Sequence, residues 1–136
     1  MDEEKIVIYG AIEKSPIPNI KANGQDDPIT VSSATPISIT VTLDPGEKTG
    51  QNADWWVTGY TTSLPASIWW SYIHPIGWVQ GLSATIQNPI INLSNPFEVL
   101  NMVLPSGDYT FSFAVDHNTD GVPDATWLDS VEVHVQ

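Results

Sequence analysis

Alternation of apolar residues with a period of two constrains this chain more than any other feature. In PISITVTL (Pro36 to Leu43), Ile37, Ile39, Val41 and Leu43 fall on one side of an extended chain and Ser38, Thr40 and Thr42 on the other. A strand repeats its side-chain direction every two residues and a helix face every three to four, so this pattern suits one face of a sheet and not one face of a helix. Similar stretches, rich in β-branched and aromatic residues, are KIVIYGAI (Lys5 to Ile12), ITVSS (Ile29 to Ser33), ADWWVTGYTT (Ala53 to Thr62), SIWWSYI (Ser67 to Ile73), FEVLNMVL (Phe97 to Leu104), DYTFSFAVD (Asp108 to Asp116) and WLDSVEVHV (Trp127 to Val135). Turns of Pro, Gly, Asn and Asp separate them, and helical spacing is almost absent.

Seven to eight short strands without a crossover helix predict an all-β, antiparallel sandwich. A length of 136 residues suits one core. The stretch Glu13 to Asp27 is poor in alternation and holds Pro16 and Pro18. The expected division is therefore an N-terminal extension over residues 1–18, carrying one strand, and a sandwich domain over 19–136. The strand in the extension has two possible partners. It pairs with its own sheet, or it adds to the exposed edge of a neighbouring copy, and a head-to-tail exchange that does not close makes filaments.

Charge narrows the partners. Sixteen Asp and Glu face four Lys and no Arg, for a formal net charge of −12. Nucleic acid is disfavoured, because phosphate binding depends on Lys and Arg displacing counterions, and anionic membranes are disfavoured for the same reason. The start, MDEEKIVIYG, is acidic with no long apolar run, so neither a signal peptide nor a membrane span is expected there. With no cysteine, thiol catalysis and thiolate metal sites are excluded. His74, His117 and His134 lack zinc spacing, and no nucleophile elbow or phosphate loop is present, so a non-catalytic protein is expected.

LPSGDYTFSFAVD resembles the penultimate strand of immunoglobulin-like domains, in which an L-P-x-G-x-Y approach carries a tyrosine that closes the corner between strands, here Tyr109. Over roughly Ile20 to Val135, IKANGQDDPITVSSATPISITVTLDPG, ADWW, GDYTFSFAVDHNTDGVPD and LDSVEV together resemble immunoglobulin-like modules of bacterial secreted and surface proteins. The resemblance implies an immunoglobulin-like or fibronectin type III-like sandwich and an extracellular or cell-surface setting. It implies no specific activity.

Between the last two predicted strands lies DHNTDGVPD (Asp116 to Asp124). Calcium takes six to eight oxygens, supplied in loops by alternating side chains, one backbone carbonyl and a Gly at the sharp bend. Asp116, Asn118 and Asp120 fall at positions one, three and five, Gly121 at six, the carbonyl of Val122 at seven and Asp124 at nine. The order resembles EF-hand-like, dockerin-like and thrombospondin type 3 calcium loops. Position twelve is Trp127 instead of Glu, so the last ligand is expected from Asp129 or from water. The alternative is a solvated hairpin turn in which Asp and Asn bond their own main chain.

Six tryptophans come as Trp55-Trp56, Trp69-Trp70, Trp78 and Trp127. Neighbours in a strand face opposite sides, so each pair puts one ring inward and one outward. Trp55 or Trp56 occupies the place of the buried tryptophan on the third strand of immunoglobulin-like domains. The outward rings, drawn from Trp56, Trp69, Trp70, Tyr72 and Trp78, with Tyr60 nearby, are read three ways: packing under a loop, an interface with a surface protein or another copy, or a carbohydrate-binding strip. The expected function is a calcium-stabilised structural or adhesive module that self-assembles through its first strand. The rival is a glycan-binding module.

Overall fold

The structure is a computed structural model that describes residues 14–63, 68–117, 119–120 and 127–136. Ten strands and no helix are found among them: β1 (Ile17–Ala22), β2 (Ile29–Val31), β3 (Ile37–Asp44), β4 (Asp54–Thr61), β5 (Ile68–Ile73), β6 (Gly77–Gln80), β7 (Ile86–Gln87), β8 (Leu93–Met102), β9 (Gly107–Asp116) and β10 (Trp127–Val135). They form two sheets. The smaller has the order β1-β3-β8, and the larger β2-β10-β9-β4-β5-β6, with β7 paired to the start of β4. All pairings are antiparallel except β2 with β10. This all-β sandwich is compatible with an immunoglobulin-like module.

Burial follows the alternation. In β3 the odd-numbered residues Ile37, Ile39, Val41 and Leu43 are buried while Ser38, Thr40 and Thr42 are half-buried. Phe111, Phe113 and Val115 of β9 and Val131 and Val133 of β10 meet them from the other sheet, and Ile20 of β1 packs beside them in their own sheet. Trp55 is the inward member of its pair: it packs on Phe113 with ring centroids 5.9 Å apart, and its Nε1 donates to the Asn88 carbonyl at 2.9 Å. A buried indole keeps its N–H satisfied in this way.

Two features tie the ends. Tyr109 donates its hydroxyl to the Pro105 carbonyl at 2.7 Å, which fixes the corner between β8 and β9. At the opposite end Gly46 has φ +60°, and a Cβ there would lie 2.5 Å from the Lys14 carbonyl oxygen. Only glycine lets the chain entering β1 pass so close, and the Glu47 N–H donates to that carbonyl at 3.0 Å.

The strand expected over Lys5 to Ile12 lies outside the described residues. From Lys14 the chain is already packed on the sandwich, and β1 begins at Ile17, inside the stretch read as an extension. Pro16 and Pro18 interrupt the apolar alternation there. Pro18 is tolerated because β1 is the edge of its sheet, where a missing N–H leaves no ladder partner unmet.

Candidate functional site

The end of the sandwich that carries the acidic turn is built from three strand ends. Pairing of β4 with β9 sets Asp54 opposite Asp116, and pairing of β4 with β7 sets Asp54 opposite Gln87. Residues directly opposite share a face, so Asp116, Asp54 and Gln87 form one row across three strands. The row is on the outer face of the larger sheet, because Trp55 and Val115, one residue along, point into the core. Both carboxylates are fully buried.

Beyond β9 the turn continues as exposed His117, Thr119 and Asp120. Gln87 Nε2 donates to the Thr119 carbonyl at 3.3 Å, and the His117 ring meets Trp127 edge to face at 5.9 Å. Asn118, Val122 and Asp124 lie outside the described residues, so their expected part in a calcium loop is neither placed nor displaced. Asp129 is placed, and it faces elsewhere. Its Cα partner is the core residue Phe113, and its Oδ2 accepts from the Ile20 N–H at 2.9 Å. Asp116 is three residues from Phe113, hence on the opposite face of the sheet. Asp129 therefore clips the edge strand β1 to the larger sheet. Among the described residues no three His, Cys, Asp or Glu converge as a metal cluster.

Asp54 was missed in the sequence. It precedes Trp55-Trp56 with no motif of its own, and its closeness to Asp116 comes from a pairing between strands more than fifty residues apart. The next outward residue on β4 is Trp56, whose Nε1 is buried and has no acceptor among the described residues. Its ring is only 4 % exposed although it is on the outer face. A buried donor without a partner points to a water or ligand group beside it.

The aromatic strip expected on one face is divided between two. Trp70, Tyr72 and Trp78 point between the sheets: Trp78 packs on Phe111 at 6.2 Å and donates Nε1 to the Val99 carbonyl at 2.7 Å, and Tyr72 meets Trp78 at 5.8 Å. Gly59 makes the room, since a Cβ there would lie 3.0 Å from the Phe111 ring. Trp70 and Met102 stand at the mouth of an apolar cleft floored by Gly59 and Phe111. Trp69 alone of the pair faces outward, its ring against Tyr60 with centroids 4.5 Å apart and planes tilted by 38°. Alternation explains the split.

No protein-family model matches this chain, and no curated protein and no solved structure matches it.

Proposed function

We propose that this chain is a non-catalytic, extracellular structural or adhesive module whose closing turn is held by calcium, with Asp54 joining Asp116, Asn118, Asp120, the Val122 carbonyl and Asp124. The observation that carries the reading is the buried cross-strand pair Asp54–Asp116. Two buried carboxylates directly opposite each other bring oxygen donors together on one face. A divalent ion takes such hard oxygen ligands and offsets their like charge. The turn that follows offers further oxygens in the order of known calcium loops. Water on the ion gives the Trp56 indole an acceptor.

Asp54 takes the place that the sequence reading gave to Asp129, because β4 and not β10 presents its carboxylate to the face of Asp116. The role of the ion is to join β4, β9 and the start of β10, adding to stability by mass action on the folded state. Strand exchange through Lys5 to Ile12 extends the same reading to self-assembly, and the acidic surface keeps such a protein soluble.

Calorimetry of the chain in calcium and in chelator tests the reading. At a free calcium 100-fold above Kd, binding contributes about 2.7 kcal/mol, which at this size is a rise in Tm of roughly 8–10 °C. An unchanged Tm removes the calcium reading.

A further inference from the structure

At the other end of the larger sheet, about 20 Å along β4 from Asp54 at 3.3 Å per residue, the outer face carries a different constellation. Trp69 pairs with Tyr60, Tyr60 with Thr110, and Thr110 with Glu132, one row across β5, β4, β9 and β10. One pleat further, Asp108 pairs with His134. Tyr60, Thr110, Asp108, Glu132 and His134, with Thr62, line a shallow groove of about 210 Å³. We propose that this groove, with Tyr60 in its wall and the exposed Trp69 ring beside it, is a binding site for a terminal ring of a neutral saccharide.

The platform comes first. The Trp69 and Tyr60 rings lie 4.5 Å apart with their planes tilted by 38°, Tyr60 lines the groove, and Trp69 beside it is 43 % exposed, so aromatic surface is offered at the groove's edge. A pyranose has an apolar C–H face that lies on such a surface and hydroxyl edges that need hydrogen bonds. The groove supplies these at its polar side. His134 Nδ1 is 2.8 Å from Asp108 Oδ1, and His134 Nε2 is 3.6 Å from Glu132 Oε1. The hydrogen bond from Asp108 is the main cause that raises the His134 pKa above its ordinary value. With Nδ1 engaged by Asp108, His134 Nε2 and the remaining oxygens of Asp108 and Glu132 stand side by side, a donor and acceptors that match vicinal hydroxyls, each of which donates and accepts.

Other ligand classes fit less well. A quaternary ammonium is held by rings on several sides, whereas here one tilted ring pair lies at the surface. Nucleic acid meets a face with Asp108 and Glu132 and a chain of net charge −12. Enclosed ligand pockets run to about 300–1,000 Å³. A smaller open groove suits one ring at the end of a glycan. The site uses Trp69 without Trp70 or Trp78, which point between the sheets, and it stands whether or not the distant turn binds calcium.

The test is a titration of the full chain with soluble hexamers of β-1,4-glucose, α-1,4-glucose, β-1,4-mannose and β-1,4-N-acetylglucosamine, followed by amide chemical shifts. At least one hexamer is expected to shift Tyr60, Trp69, Thr110 and Glu132. Trp69→Ala and Glu132→Gln each weaken it by about ten-fold, the size of one lost aromatic contact or hydrogen bond to a charged group. Leu128→Ala, exposed on the same face toward the other end, leaves binding unchanged. Should Trp69→Ala fail to fold, Glu132→Gln carries the test. No binding by any hexamer at millimolar concentration overturns the proposal. So does binding that survives both substitutions, and so does tetramethylammonium producing the same shifts.

Discussion

Asp54→Asn changes the shape of the buried pair little and removes one of its two charges. In antiparallel strands, side chains directly opposite lie about 5 Å apart. At an effective dielectric of about 20, two unit charges at that separation repel by about 3 kcal/mol. A hydrogen bond that the carboxylate makes and the amide makes less well returns about 1 kcal/mol. In chelator the variant is therefore expected to be more stable than the parent by about 1–2 kcal/mol, or roughly 3–8 °C in Tm. In calcium the order reverses. The parent gains about 2.7 kcal/mol at 100-fold excess over Kd, and the variant, short of a charged ligand, gains much less. Scanning calorimetry of both proteins in both buffers reads the four values. The reasoning fails if Asp54→Asn lowers Tm in chelator, because Asp54 is then an anchor of the fold and not a repelled charge. It also fails if calcium raises both proteins equally.

Tyr109→Phe removes the hydrogen bond to the exposed Pro105 carbonyl and is expected to cost about 1 kcal/mol, a fall of roughly 3–4 °C in thermal denaturation; no change would mean that the corner is held by packing alone. Gly59→Ala sets a Cβ 3.0 Å from the Phe111 ring and is expected to destabilise by about 1–3 kcal/mol in urea unfolding, against no loss if Phe111 shifts freely. The hydrogen bond to Asp108 holds the His134 pKa above its ordinary value, so the stability it contributes is full below its unfolded pKa and is lost as pH rises through the folded one. Asp108→Asn, which removes the largest cause, is expected to bring the NMR titration of His134 back down. Removal of residues 1–13, which spares the Lys14 contact at Gly46, is expected to convert an assembling chain into a monomer by light scattering. A monomer before and after removal counts against strand exchange.

The sandwich was legible because its strongest strands obey local rules. β3, β9 and β10 alternate cleanly, and their sequence limits nearly match the folded ones. Tyr109 was identified by its approach sequence and makes the expected corner bond. What was missed has physical reasons. β1 holds a proline that only its edge position tolerates, and β6 and β7 are too short to show a period. The parallel pairing of β2 with β10 joins distant segments and leaves no local mark. The turn at Asp116 was visible as a run of oxygen-bearing residues, yet its buried partner Asp54 was not, since cross-strand pairing and not sequence brings them together. The aromatic residues were seen as one group. Alternation along β5, with Trp69 outward and Trp70 inward, separates them into an outer platform and an intersheet cluster.

The most direct measurement is a crystal structure of the chain grown in calcium, with anomalous density used to identify the ion. The account predicts one peak at the end of β9, within about 2.3–2.6 Å of oxygens from Asp116 and Asp54 and of ligands from the turn that follows. Well-ordered carboxylates with no peak between them at ample calcium would contradict it.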